Sequence, residues 1–221
     1  MKLLIIALAP VIIIAFYVYY RDKYEKEPVR LLLKALGVGC LITIPVVFIE
    51  RFIASQMPSL SHTGEAFYNA FLVAGFTEEL FKYLAFIIFI WNNKNFNEKF
   101  DGIIYAVFIS IGFAGIENIL YVFNHGEQTG YMRMIISVPA HALFGVTMGY
   151  YLGLAKFYKK NRGLHILRSF IYPVVLHGVF DFILMLGNYR LMLVFIPYVI
   201  FLYIDGFRRM KNLSGRSVFR K

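Results

Sequence analysis

The chain has 221 residues, of which 59% are hydrophobic and only 16% are charged, and its mean hydropathy is +0.64. Soluble domains are roughly 45–50% apolar and about 25% charged, so this composition excludes a water-soluble globular protein. The net charge is +10, but most of the positively charged residues lie between apolar segments. No polar stretch is long enough to form a nucleic-acid-binding domain. We therefore expect membrane lipid as a partner and no nucleic acid.

A helix needs about 20 apolar residues to span the hydrocarbon core, and seven segments of the chain meet or nearly meet this requirement. They are residues 3–20, 29–49, 66–91, 102–123, 131–157, 165–186 and 191–207. The loops between them are short. The sequence thus predicts an all-α fold, a polytopic transmembrane helix bundle that forms a single domain over residues 1–221.

The Lys and Arg residues alternate in density between the two ends of the predicted bundle. Seventeen of the 23 lie in residues 21–30, 92–101, 156–168 and 208–221, and four lie at the alternate ends, namely Lys2, Arg51, Arg133 and Arg190. Because cytoplasmic loops carry the positive excess, this pattern places the N-terminus outside and the C-terminus in the cytoplasm.

Ionisable side chains inside a span need an explanation, because a charge at the bilayer centre costs at least about 2.5–3.5 kcal/mol. The third span contains Glu78, Glu79 and Lys82, and their spacing lets Lys82 reach either carboxylate. Adjacent helical residues point about 100° apart, so we expect one glutamate to face a cavity and the other to be held by Lys82 or a neighbouring helix. A structural ion triad is the alternative, but two acids for one base favour a functional site.

Three later spans also carry polar groups. The fourth contains Glu117 and Asn118, which alone are equally consistent with a hydrogen-bonding pair between helices. The fifth contains His141, on the same helix face as two glycines, so His141 is predicted to point into the bundle. The sixth contains His177 and Asp181 one turn apart, where the acid can orient the imidazole, or where the two form a structural pair.

Other features of the spans are interpreted structurally. Gly145, Gly149 and Gly153 form a small-xxx-small series that predicts close packing of the fifth helix against a neighbour. Glu50 and Asp205 fall at the ends of predicted spans and are interpreted as interfacial residues.

The buried polar groups share one depth. Glu78, His141, His177, Glu117 and Asp181 lie about 5 to 12 residues from the outer ends of their spans, or roughly 8–18 Å at 1.5 Å per residue. Four helices that place ionisable groups in the same layer predict one site that opens outward.

The ordered motifs resemble those of the PrsW family of glutamic-type intramembrane proteases, which is related to the CAAX-protease and bacteriocin-processing superfamily. They are Glu78-Glu79-x-x-Lys82, Phe113-x-x-x-Glu117-Asn118, His141-Ala142-Leu143-Phe144-Gly145 and His177-x-x-x-Asp181, together with the step Glu27-Pro28 after the first span. The resemblance covers nearly the whole chain. In the wider superfamily the second motif usually ends in His, so the role of that His does not transfer to Glu117-Asn118.

The resemblance implies an intramembrane endopeptidase of the bacterial plasma membrane. Its expected partner is a single-pass membrane protein such as an anti-sigma factor, cut at site 1 on the extracytoplasmic side in a stress response.

The expected mechanism is hydrolysis by a glutamate-activated water. Glu78 would act as the general base with Glu79 in support, and His177, oriented by Asp181, would stabilise the oxyanion or protonate the leaving amine. Glu117, Asn118 and His141 would complete the site. We expect no metal cofactor. Zinc is the alternative, since two His and several carboxylates could bind it, although no His-Glu-x-x-His motif is present.

Two other classes of function fit parts of the pattern. A proton-coupled transporter or channel also uses buried Glu, His and Asp, although no repeated halves with paired broken helices are visible in the sequence. A non-catalytic scaffold would keep full function after Glu78→Gln and Glu79→Gln.

Overall fold

The computed structural model describes residues 1–220, which are helical apart from short connections and contain no strand. The elements are α1 (Lys2–Arg21), α2 (Val29–Ser55), α3 (His62–Phe67), a π-helix (Tyr68–Phe76), α4 (Thr77–Phe89), α5 (Lys99–His125), α6 (Glu127–Ile135), α7 (Ser137–Phe157), α8 (Arg162–Met185) and α9 (Tyr189–Ser214). The all-α, polytopic bundle predicted from the sequence is confirmed.

Six helical stretches are long and apolar enough to cross a membrane, with α6 and α7 counted together as one. The third predicted span is of a different kind. It consists of α3, the π-helix and α4 in direct succession from His62 to Phe89, and each of these pieces is shorter than a span. The seven predicted segments therefore correspond to six single stretches and one composite stretch.

The fifth predicted span is divided near its outer end. Helix α6 ends at Ile135, and the backbone at Ile136 (φ −114°, ψ −63°) departs from regular helix before α7 begins. Pro139 explains the break, because it has no N–H to donate to the carbonyl of Ile135 and its ring crowds that carbonyl. The short helix α6 can therefore take its own direction at the mouth of the bundle.

Helix α5 forms the centre of the bundle and is far more buried than α1, α8 or α9, which face outward over most of their length. Glycines bring its neighbours close. A Cβ added at Gly149 or Gly153 of α7 would overlap the backbone carbonyl of Gly102 or Lys99 on α5. The close packing predicted from the glycine series is thus confirmed. Gly39 of α2 makes an equally close approach to the α5 backbone, at the carbonyl of Ile109.

A buried acidic cluster stands at the predicted cytoplasmic end, where the loop between α1 and α2 meets the start of α5. The backbone N–H of Glu27 donates to Asp22 Oδ2 at 3.0 Å, and the hydroxyl of Tyr105 donates to Glu27 Oε2. Burial raises the pKa of Glu27 to about 9, with the nearby Asp101 carboxylate adding to the effect, and burial also raises the pKa of Asp22 to about 6.

The glycine contacts yield a stability prediction. Gly149→Ala should destabilise the protein by about 1–3 kcal/mol, because the new Cβ has to push α5 and α7 apart. Gly37→Ala is the matched control, since a Cβ there meets nothing within 4 Å. It should be neutral or stabilise by up to about 1 kcal/mol. Thermal unfolding in detergent, followed by Trp91 fluorescence, measures both, and equal midpoints for the two variants would contradict the packing described.

The acidic cluster yields a second prediction, concerning pH. A carboxyl whose folded pKa is raised binds its proton more tightly in the native state, so stability falls as pH rises from its unfolded pKa to its folded pKa. For Glu27 that window runs up to about pH 9. The unfolding midpoint should therefore drop between pH 6 and pH 9, and Glu27→Gln, which mimics the neutral acid, should reduce the drop. Glu25→Gln, in the same loop, should keep the wild-type slope, and a wild-type slope in Glu27→Gln would refute the assignment.

Candidate active site

Glu78 and Glu79 lie in the first turn of α4, and both carboxylates contact the ammonium of Lys82. Lys82 Nζ is 3.0 Å from Glu78 Oε2 and 2.9 Å from Glu79 Oε1. The side chains of Lys82 and Glu79 are completely buried, whereas 5% of the Glu78 side chain is exposed. The i,i+3 and i,i+4 spacing thus gives one buried cation shared by two acids.

The π-helix directly before these glutamates brings them against α8. A Cβ on Gly75, at the end of the π-helix, would lie 3.1 Å from the backbone N of Gly178, and a Cβ on Gly178 would overlap the ring of Phe71. Only residues without side chains allow this approach. A π-turn adds one residue to a helical turn and is frequent at functional sites. Here it directs Glu79 toward the neighbouring His177.

His141 of α7 continues the contacts in one direction. Its Nδ1 lies 3.1 Å from Lys82 Nζ and its Nε2 lies 3.0 Å from Glu117 Oε2. An ammonium can only donate, so Nδ1 accepts and Nε2 carries the hydrogen that it donates to Glu117. This is the neutral imidazole. His141 therefore joins the Lys82 cluster to the acid on α5.

Arg133 of α6 completes that branch. Its Nη2 lies 2.8 Å from Glu117 Oε2, its Nε donates to Asn118 Oδ1 at 3.2 Å, and its guanidinium lies 3.9 Å from the ring centroid of Tyr121. The Asn118 amide also donates to the carbonyl of Ala7 on α1 at 3.0 Å. Asn118 thereby fixes both α1 and Arg133 relative to α5.

His177 of α8 forms the other branch. Its Nδ1 lies 3.1 Å from Glu79 Oε1 and its Nε2 lies 3.3 Å from Asp181 Oδ2. Both ring nitrogens face carboxylate oxygens, which only accept hydrogen bonds when ionised. The doubly protonated imidazolium is the form that satisfies both contacts. A continuous chain of polar contacts therefore runs from Arg133 to Asp181 through four helices and the short α6.

A cavity of about 370 Å³ opens beside this chain, toward the end of the bundle that the charge pattern assigns to the outside. Glu78, Glu117, His141, His177 and Asp181 all line the cavity, while Glu79, Lys82 and Asn118 lie behind its wall. The structure thus brings together every residue proposed from the sequence, and it separates the two glutamates into one at the cavity surface and one behind it.

Two lining residues have a different position from the one expected. Glu50 was interpreted as interfacial because the second span was predicted to end at residue 49, but α2 continues to Ser55 and Glu50 lines the cavity. Its spacing from Thr43 and Val47 would have indicated this shared face. Arg133 was counted only among the outer charges, and no local pattern pairs it with Glu117.

Known proteins are similar to this chain over nearly its whole length. The model of a family described as PrsW family intramembrane metalloprotease matches residues 27–204. Proteins named Protease PrsW are similar: that of Bacillus subtilis is 37% identical over 213 residues (96% of this chain, 94% of that protein), and that of Clostridioides difficile is 36% identical over 228 (99% and 95%). The chain belongs to the PrsW family of intramembrane proteases.

A third relative, Protease PrsW of Oceanobacillus iheyensis, is 34% identical over 218 residues and covers 99% of both chains. No solved structure is significantly similar to the chain. Family membership and the six apolar helical stretches together make the protein a multi-pass protein of the bacterial membrane.

The family description names a metalloprotease, and the polar cluster contains four residues that could bind a metal ion. Glu78, Glu79, His141 and His177 each offer one ligand atom, and these atoms all lie within 4.8 Å of one another. Two imidazoles and two carboxylates suit zinc chemically. However, the Lys82 ammonium already lies 2.9–3.1 Å from ligand atoms of three of the four. A zinc ion bound to those three atoms would compete with the ammonium for them, so with Lys82 in this position those atoms do not fit a metal.

This conflict gives a test of metal binding. Zinc-equilibrated wild-type protein should retain much less than one zinc per chain, whereas Lys82→Ala, which vacates the space beside three of the four donors, should gain up to one. Added zinc should also raise the unfolding temperature of Lys82→Ala, since it replaces a lost buried counter-charge. Metal content by mass spectrometry and thermal unfolding measure the two effects, with Lys34→Ala as the control lysine. One tightly held zinc in the wild type would overturn this account.

Proposed function

We propose that this protease makes the site-1 cut in a single-pass membrane protein of the anti-sigma factor type, using a water activated by Glu78 and no metal. The observation that carries the proposal is the different position of the two glutamates. Glu78 lines the cavity, while Glu79 is completely buried and held by Lys82 and His177.

Glu78 has the position that a general base needs. Its Oε2 contacts Lys82, and its Oε1 has no hydrogen-bond partner within residues 1–220, so Oε1 is free to accept a hydrogen bond from water in the cavity. A general base has to lie within hydrogen-bond reach of the proton that it removes. Lys82 fixes the carboxylate in place through the other oxygen.

The hydrolytic step follows from these positions. Glu78 takes a proton from water, and the hydroxide so formed attacks the carbonyl carbon of the substrate peptide bond. The tetrahedral oxyanion that results needs a positively charged or donating group beside it. His177 lines the same cavity, and the positive charge of its imidazolium stabilises the oxyanion, while Glu78 passes the proton that it took from water to the amine nitrogen as the C–N bond breaks.

The remaining polar residues position this pair. Glu79 accepts from Nδ1 of His177 and the Asp181 carboxylate lies 3.3 Å from Nε2, so the two acids set the plane of the ring. His141 connects Lys82 to Glu117, which is in turn held by Arg133. Because each member contacts the next, loss of one is expected to misplace its neighbours.

The substrate assignment is supported by the position of the cavity and by the family. The cavity opens at the end of the bundle predicted to face outside, which suits a cut just outside or in the outer part of the membrane. Its volume of about 370 Å³ accommodates an extended segment of a few residues and not a folded domain. The anti-sigma factor type comes from the resemblance to the PrsW family.

Co-expression with single-pass membrane proteins of the source bacterium, including its candidate anti-sigma factors, tests the proposal. A cut product whose new terminus lies on the extracytoplasmic side is expected. Glu78→Gln should lower the rate by at least about 100-fold, because it removes the base while preserving size. Glu79→Gln and His177→Ala should also lower the rate strongly.

Glu65→Gln is the matched control, since this glutamate lies in α3 at the same end of the bundle but does not line the cavity. It should cut at the wild-type rate. Normal cutting by Glu78→Gln, Glu79→Gln and His177→Ala would show that the proposed site is wrong, and a cut on the cytoplasmic side would rule out the site-1 role.

A further inference from the structure

Glu50 is an acidic residue of the cavity that the proposed chemistry does not use. It lies on α2, five residues before that helix ends at Ser55, and lines the cavity that Glu78 faces. Val47 and Thr43 line the same cavity from one and two turns deeper in the membrane, so Glu50 belongs to the inward face of α2 near the mouth.

The other acids of the site all have a partner of opposite charge. Lys82 contacts Glu78 and Glu79, Arg133 contacts Glu117, and the ring of His177 contacts Asp181. In contrast, the carboxylate of Glu50 forms no ion pair and accepts no hydrogen bond from any of residues 1–220. It is the acid of this cavity that remains available to something that enters.

The balance of charge gives the same result. Five carboxylates belong to the site, those of Glu50, Glu78, Glu79, Glu117 and Asp181, against two permanent cations and one imidazolium. The cavity therefore holds an excess of acidic groups over cations in a partly enclosed space, where charge interactions are stronger than in bulk water. A positive side chain on the substrate would reduce this excess, and a negative one would add to it.

We infer that Glu50 is a specificity-determining residue that binds a Lys or Arg side chain of the substrate close to the scissile bond. This inference rests on the proposed function, because it names the substrate side chain that the same site accepts. A long basic side chain can lay its aliphatic stem along the apolar wall at Val47 while its charged end meets the Glu50 carboxylate.

The site offers no comparable partner for an acidic substrate residue. Arg133 is the one Lys or Arg among the residues that line the cavity, and Glu117 and Asn118 already engage it. Lys82 is buried behind the wall and is bonded to Glu78, Glu79 and His141. An acidic side chain near the scissile bond would meet the Glu50 carboxylate without a cation to offset the repulsion.

A substrate scan tests the inference with wild-type enzyme alone. In a substrate found to be cut, each of the four residues on either side of the scissile bond is replaced in turn by Lys, Gln and Glu. At one or two neighbouring positions, the Lys form should be cut about tenfold faster than the Glu form, with the Gln form between them.

Variants of the enzyme then assign the preference to Glu50. Glu50→Gln should reduce the Lys-to-Glu ratio at that position to about twofold or less, and Glu50→Lys should invert it, so that the Glu substrate is preferred. Glu65→Gln should leave the ratio at the wild-type value. Both substrates are measured on the same preparation, so the fraction of folded enzyme cancels from the ratio.

The outcomes separate this inference from the function on which it rests. Absence of any cut by the wild type would remove the proposed function itself. Cutting without charge preference at any position, or a Glu50→Gln variant that slows Lys, Gln and Glu substrates equally, would overturn the role of Glu50 in specificity while leaving the protease intact.

Discussion

The ammonium of Lys82 is the interaction on which the site depends. It is completely buried, and a buried ammonium is tolerated only if its hydrogen bonds are satisfied and its charge is balanced. Three acceptors on two helices meet it: Glu78, Glu79 and His141. Lys82 thus joins α4 to α7 and allows two acids to lie next to each other within a membrane-embedded bundle.

Two branches of polar contacts start at Lys82, so the positions of the polar groups depend on one another. One runs through His141 and Glu117 to Arg133, and the other runs through Glu79 to His177 and Asp181. In such networks each bond polarises the next, so single substitutions do not report separate contributions. The backbone supports this network at its narrowest contact, where Gly75 and Gly178 let the composite stretch and α8 approach within van der Waals distance.

Much of this arrangement could be predicted because it follows from local spacing. Helical periodicity put Lys82 within reach of both glutamates, rotation by about 100° predicted that Glu78 and Glu79 would face different surroundings, and the glycine series predicted where α7 meets α5. The structure agrees with the packing of the glycines and with the helical bundle. The catalytic roles of the residues remain predictions.

Other features could not be predicted, because they depend on contacts between distant segments. The π-helix of Tyr68–Phe76 has an ordinary apolar sequence, and its wide turn is explained only by its packing against α8. The contact of Arg133 with Glu117 could not be predicted either, because it depends on the position of α6 beside the cavity. Glu50, in contrast, could have been placed from its helical spacing to Thr43 and Val47, but hydropathy falls before α2 ends and indicates a helix that stops short of the cavity mouth.

Burial of charged groups is energetically unfavourable, and differences in burial also explain why the acids of the cluster have different contacts. A carboxylate that is completely enclosed, as Glu79 is, needs its partners permanently and is suited to holding His177 in place. A carboxylate at a wet surface can exchange one partner for water, and Glu78 keeps one oxygen on Lys82 and leaves the other free. An acid with no protein partner, as Glu50 is, remains available to a group that enters the cavity. Depth from the cavity mouth therefore orders the three acids by their proposed roles: recognition at the mouth, activation of water at the wall, and support behind it.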